Sequence, residues 1–257
     1  MIPKVIHYCW FGKKPLPELA LKCIASWKKF LPDYEIKEWN ESNFNINQIP
    51  YTKQAYKCKK YAFVSDYARF KILFEHGGIY FDTDVEIIKP LDHILSLGPF
   101  MACERDFDDT RDIDTTLKKG IAVNPGLGLA SEPGHPIYKE LMNLYQQEQF
   151  KLGKTINLTT VVIYTTALLI QHGLQNIPGI QVIDGIAIYP RSYFCPLSTD
   201  RLSLRIEKET VTIHHYAASW IVPQKSLVSK IWLFFHLPKT DFRKKFCSAM
   251  KKKAKNR

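Results

Sequence analysis

The run from Gly77 to Ile87, GGIYFDTDVEI, places Asp82 and Asp84 one residue apart inside an apolar, β-branched segment. Side chains alternate along a strand, so Tyr80, Asp82 and Asp84 are expected on one face and Ile79, Phe81, Thr83 and Val85 on the other. Two carboxylates stacked on one face repel unless a cation lies between or beyond them. A hard divalent metal is the common solution. In open α/β sheets, ligands gather at the carboxyl ends of strands, which is where an apolar run closing on two acids puts them. A strand end fraying into solvent would carry the same pair, and the DxD triplet alone does not separate these readings.

The preceding stretch, YAFVSDYARFKILFEHGG, adds context. Asp66 and Arg69 are three apart and Ser65 and Arg69 four apart, so all three project from neighbouring positions of a helix. Phe63, Phe70, Leu73 and Phe74 supply its buried side. A surface ion pair would look similar and contribute only a few tenths of a kcal/mol. The direct Gly-Gly link to the DxD run favours one shared site. Later, TIHHYAASW (212–220) sets two histidines before a Ser-Trp pair. A single His beside a strand is more often structural, yet neutral imidazole is an ordinary ligand for manganese-like metals. Between these motifs, CERDFDDTRDID (103–114) carries six acids, either a solvated loop or an acceptor-facing rim.

The elements that must position these groups follow from periodicity. KVIHYCWFG reads as a first strand stopped by Gly12, Pro15 and Pro17. LALKCIASWKKFL has helical spacing and ends at Pro32, and YEIKEWN alternates as a second strand. One helix is expected from about Cys58 to His76, with Gly77 at its C-terminal cap. Further on come a strand at FMACE, helices at GHPIYKELMNLYQQEQF and NLTTVVIYTTALLIQHG, and one or two strands in GIQVIDGIAIYP. TVTIHHYAASW reads as a last strand running into a functional loop. Alternating strands and helices imply an α/β domain with a mostly parallel central sheet.

At 257 residues and 46% hydrophobic, the chain can bury a full core as one large domain. No apolar run of about 18 residues suggests a spanning helix. The opening MIPKVIHYCWFG lacks the pattern of a signal peptide, so mature sequence is expected from the first residue. Six cysteines at 9, 23, 58, 103, 195 and 247 form no CxxC pair, which fits a reducing, cytoplasmic setting. The net charge of +11 is concentrated at one end, because Lys239 to Arg257 holds nine basic residues and one acid. Residues 1–225 are therefore expected to form the catalytic domain, and 226–257 an amphipathic, basic tail. The tail's apolar segment, Ile231 to Leu237, is too short to span but suits an anionic membrane surface. A disordered, solubilising end would have the same composition.

At these residues the chain resembles a known family. SDYARFKILFEHGGIYFDTDVEIIKPL is similar to the motif of the DxD-containing glycosyltransferases of family 32, including capsular and other surface-polysaccharide enzymes. It is distantly similar to the glucosyltransferase domains of the large clostridial toxins. IPKVIHYCWFG and HHYAASW resemble the family's first strand and its C-terminal metal-site motif, and the likeness covers about residues 1–135 and 185–222. The resemblance implies a GT-A fold, a UDP-sugar or other nucleotide-sugar donor, Mn2+ or Mg2+, and retention of anomeric configuration.

It further implies Asp84 as direct metal ligand, with Asp82 on the ribose, the sugar or the metal. Asp66 and Arg69 would hold the donor sugar and Ser65 the nucleotide. Tyr8 and Trp10 would lie near the base, and Tyr80 and Asn124 near the donor. His214 would meet the metal or the diphosphate, with His215 the alternative ligand, and Ser219 and Trp220 would close over the donor. The chain departs from the family over 155–169, where TINLTTVVIYTTALL lacks the Thr-Gly-Pro of many relatives.

A hexosyltransferase acting on a saccharide or lipid-linked saccharide, peripheral on the inner face of the cell membrane, is the function this implies. Two other readings compete. A DxD phosphatase wants Thr or Val two residues after its second Asp, where this chain has Glu86. A non-catalytic membrane- or nucleic-acid-binding protein would rely on the basic tail. No binding module or interleaved aromatic stripe supports nucleic acid, and none is expected as a partner.

Overall fold

The computed structural model describes residues 1–107, 120–150, 160–198 and 203–217. The first strand, β1 (Val5–Cys9), lies between two apolar cores. Ile6 and Tyr8 face one of them and Cys9 the other, the alternation of a strand covered on both sides. After Pro15 and Pro17, α1 (Glu18–Phe30) turns Ala20, Cys23, Ile24 and Trp27 inward on the Ile6–Tyr8 side. Parallel pairing joins β1 to β2 (Glu35–Trp39) on one edge and β3 (Gly78–Tyr80) on the other.

Two helices lie where one was expected between β2 and β3. The first, α2 (Pro50–Lys57), starts on a proline, whose missing N–H would have no partner at that position anyway. The second, α3 (Tyr61–His76), buries most of its circumference. Gly77 and Gly78 then take φ of 64° and 96°. A Cβ on Gly78 would stand 2.6 Å from the Val5 carbonyl oxygen, so only glycine converts helix to strand this abruptly.

The single strand expected to carry both aspartates is interrupted. β3 ends at Tyr80, and the chain turns through Thr83–Asp84 before β4 (Val85–Ile87). α1 draws β4 away from the main sheet: Trp27 Nε1 donates to the Val85 carbonyl at 2.7 Å, and Ser26 Oγ accepts the Ile87 N–H at 2.9 Å. β4 pairs instead, antiparallel, with β10 (Thr212–His214).

Beyond β4 come α4 (Asp92–Leu95), β5 (Phe100–Arg105), β6 (Ala122–Val123) and β7 (Leu129–Ser131), followed by α5 (Pro136–Gln147) and α6 (Val161–Gln171). GIQVIDGIAIYP forms two strands, β8 (Gln181–Ile183) and β9 (Ile186–Tyr189). Their turn is Asp184-Gly185, with φ of 47° and 82°, the pair of positive angles that a tight hairpin requires. α7 (Arg191–Phe194) then leads toward β10.

The main sheet has the order β2-β1-β3-β7-β5-β9-β8, with β6 beside β5. Along that path β7 and β8 run against the other five strands. The fold is α/β, with a mixed, mostly parallel sheet between two helical layers. α2, α3, α5 and α6 cover one face, and α1, α4 and α7 cover the other. Among the described residues, no helix is long and apolar enough to cross a membrane, and the five described cysteines are free thiols. The basic segment 226–257, Ser219 and Trp220, and most of the acidic run 103–114 lie outside the described residues.

Candidate active site

The buried face of α3 brings its polar residues to the end of β3. Arg69 Nη2 lies 3.1 Å from Asp66 Oδ1 and 3.1 Å from Asp82 Oδ1. The guanidinium sits over the Tyr80 ring at 5.2 Å, and the Tyr80 hydroxyl donates to Asp82 Oδ1 at 3.1 Å. Asp82 Oδ1 is therefore committed to two donors. Its other oxygen, Oδ2, faces the Asn124-Pro125-Gly126 turn so closely that a Cβ on Gly126 would stand 2.2 Å away. Asn124 shapes this turn by accepting the Gly126 N–H at 2.7 Å and donating to Glu104 Oε2 at 2.8 Å.

Asp84 meets a different partner set. Because Thr83–Asp84 is a turn and not a strand, Asp84 leaves the face it would share with Glu86. Its Oδ1 lies 3.3 Å from His214 Nε2, and its Oδ2 accepts the Ala217 N–H at 2.7 Å. His214 closes β10, with its ring edge-on to Tyr216 at 4.3 Å. One ligand atom each from Asp82, Asp84 and His214 falls within 4.8 Å of the others, the one such group among the described residues.

Electrostatics separate the two carboxylates. Burial alone would raise Asp84, but His214 and the Ala217 N–H outweigh it and hold the carboxyl at about 2. Burial likewise opposes charge on His214, and the Asp84 carboxylate overrides it, pushing the imidazole above its ordinary value. Asp82 is raised, by burial first, with Arg69 acting against that and Asp84 adding to it. Burial lifts Asp66 to about 7 despite its pairing with Arg69.

The donor set fits a divalent cation. With Asp66, Asp82 and Asp84 ionised, Arg69 cancels one of three negative charges; the two remaining match a dication, which would displace the proton that Asp84 otherwise holds on His214. Two carboxylates and one imidazole suit Mn2+ or Mg2+ in hardness. Their side chains are sheltered but reachable, with Asp82 29% and Asp84 15% exposed.

Other residues singled out in the sequence are engaged with protein partners of their own. Tyr8 is buried against Trp27 and donates its hydroxyl to Glu38 Oε2 at 2.7 Å. Trp10 is part-buried, and its Nε1 donates to the Lys14 carbonyl at 2.6 Å. Ser65 bonds the Tyr61 carbonyl one helical turn back at 3.3 Å. Both ends of the Asn124 amide are engaged with protein. His215 points away from the cluster to Glu86 Oε2 at 2.8 Å, because adjacent strand residues face opposite sides. The sequence reading missed Gly126 and the Ala217 amide. The Asn-Pro-Gly triplet is a turn signal that could have flagged the first; a backbone donor leaves no trace in residue type.

Residues 17–100 match the family model described as "Glycosyltransferase sugar-binding region containing DXD motif". An uncharacterized glycosyltransferase of Acanthamoeba polyphaga mimivirus is 26% identical over 86% of this chain and 84% of its own length. Inositol phosphoceramide mannosyltransferase 1 of Schizosaccharomyces pombe is 23% identical over 77% of the chain, which spans 61% of that enzyme. Among solved structures, a PaToxG glycosyltransferase shares 21% identity over 66% of this chain and 70% of that one, with a TM-score of 0.48. The match over residues 17–100, from α1 to the start of β5, and the similarity to glycosyltransferases along most of the chain support a transferase enzyme.

Proposed function

We propose that the protein is a metal-dependent, retaining glycosyltransferase of the GT-A type and of family 32. It moves a hexose or N-acetylhexosamine from a nucleotide sugar, UDP-linked, to a saccharide or lipid-linked saccharide in surface-polysaccharide assembly. The observation that carries this reading is the convergence of Asp82, Asp84 and His214 within 4.8 Å, beside the Asp66–Arg69 pair. The name of the fission-yeast relative, a mannosyltransferase, supports a hexose as the group transferred, and leaves GDP as the alternative nucleotide.

Asp84, Asp82 and His214 would hold Mn2+ or Mg2+, which when bound supplies Lewis-acid neutralisation of the departing diphosphate. Arg69 offers planar N–H donors to a phosphate or to sugar hydroxyls. Its position is fixed by two carboxylates and an aromatic face, so little reorganisation is needed when charge develops. Asp66 accepts hydrogen bonds from donor-sugar hydroxyls. No side chain is assigned as general base; in the front-face reading of retention, the leaving phosphate accepts the acceptor's proton. The basic tail would rest on an anionic membrane, which co-sedimentation of the full chain and of a chain truncated at 238 with phosphatidylglycerol vesicles tests.

Incubating the full chain with UDP- and GDP-sugars and Mn2+ while following nucleoside diphosphate release tests the reaction. Release with at least one donor, abolished by EDTA, is expected. No release with any donor, or release indifferent to EDTA, would contradict the proposal.

A further inference from the structure

Two segments far apart in sequence build the Asp84–His214 contact, and a second pair of side chains fastens them one residue further along. β4 and β10 are paired with Ile213 opposite Glu86 and His214 opposite Val85. The ladder continues as the His215 N–H donates to the Asp84 carbonyl at 2.9 Å. Glu86 and His215 are thus diagonal neighbours on the face that the metal cluster does not use, and diagonal pairs on one face lie within reach of long side chains. Glu86 Oε2 takes His215 Nε2 at 2.8 Å, and Lys22 of α1 meets the same oxygen at 2.9 Å.

The lysine is 60% exposed, and such a pair contributes under about 1 kcal/mol to stability. Positional control is the larger consequence. Residues 214–217 supply three groups to Asp84, namely the His214 ring, the His215 N–H and the Ala217 N–H. The Glu86–His215 bond is the side-chain tie that fixes this segment to the strand leaving the DxD turn.

We infer that Glu86 is a positioning residue for the metal site: by holding His215 it sets the register in which His214 and the Ala217 amide meet Asp84. The inference rests on the metal reading above, and its test separates the two. Mn2+ binding to the full chain, followed by loss of the free-ion EPR signal, is the readout, with thermal melting of the metal-free protein alongside. Glu86→Ala should weaken Mn2+ binding about 10- to 100-fold, the range for lost outer-shell partners, while the metal-free melting temperature stays near that of the unmutated chain. Glu86→Gln keeps an acceptor for His215 and should restore most of the affinity. His215→Leu should match Glu86→Ala, and the double variant should lose no more than either single one. Unchanged affinity in Glu86→Ala, additive losses in the double variant, or no rescue by Gln overturns the inference alone. A wild-type chain that binds no Mn2+ overturns the metal reading and this inference with it.

Discussion

His214 Nε2 stands 3.3 Å from Asp84 Oδ1 because a three-residue antiparallel pairing delivers β10 to the strand that follows the DxD turn. The acid pair and the imidazole are far apart in sequence, so the cluster exists only in the folded chain. Asp84 is its centre, in contact with the His214 ring and two backbone amides of the same segment.

Asp84→Asn removes the ligand charge while keeping the side chain's shape and its acceptor oxygen for Ala217. Donor turnover with Mn2+ should fall at least ~100-fold, about 3 kcal/mol of transition-state stabilisation. Circular dichroism melting should stay near wild type. The check is nucleoside diphosphate release with and without EDTA, and full activity in the variant would remove Asp84 from the metal site.

Arg69 lies buried between Asp66 and Asp82, so Arg69→Ala strands two carboxylates. A loss of about 3–5 kcal/mol in urea unfolding is expected for breaking a buried pair. Arg69→Lys returns a charge but not the planar fork that reaches both acids from one nitrogen. It should recover part of the stability and little of the donor turnover.

Gly126→Ala places a Cβ 2.2 Å from Asp82 Oδ2 by the present geometry. Overpacking of this kind costs about 1–3 kcal/mol, and the carboxylate must swing off its position toward Asp84. Mn2+ affinity should drop further than thermal stability does; wild-type affinity would show that Asp82 Oδ2 is not held by this turn.

His7 gives stability a pH dependence of definite sign. Trp39 Nε1 donates to His7 Nδ1 at 3.0 Å, leaving Nε2–H to donate to the Gly77 carbonyl at 3.0 Å. Burial favours this neutral ring and pushes its pKa down from 6.5 to about 4. The unfolded chain therefore takes up the proton first. The contribution of His7 is fully present above 6.5 and is lost as pH falls from 6.5 toward 4, by up to about 3 kcal/mol. Unfolding free energies of wild type and His7→Gln should converge as pH is lowered through that window. Parallel curves would refute the assignment.

Much of this architecture was legible in residue patterns. Alternation located β2, short apolar runs located β1 and β5, helical spacing located α1, α5 and α6, and the double glycine marked the end of α3. The i,i+3 spacing of Asp66 and Arg69 also brought both to the DxD run. What escaped were features set by distant partners. Alternation alone predicts one continuous strand from Gly77 to Ile87, and nothing local reveals that Trp27 and Ser26 of α1 will take over the hydrogen bonds of Val85 and Ile87. That diversion makes the turn at Asp84 and lets its carboxylate join His214. The family resemblance put His214 ahead of His215, but the physical ground for that choice, β10's register on β4, is nothing a His-His pair can specify. α2 was missed because its eight residues are short and open on proline.

Whether Asp82, Asp84 and His214 hold a metal ion is decided by an anomalous difference map from crystals soaked with Mn2+ and UDP. One manganese peak is expected at coordination distance from Asp84 and His214, with Asp82 beside it and the diphosphate near Arg69. A peak elsewhere, or none, with the Asp82 and Asp84 carboxylates turned to solvent, would contradict the metal assignment.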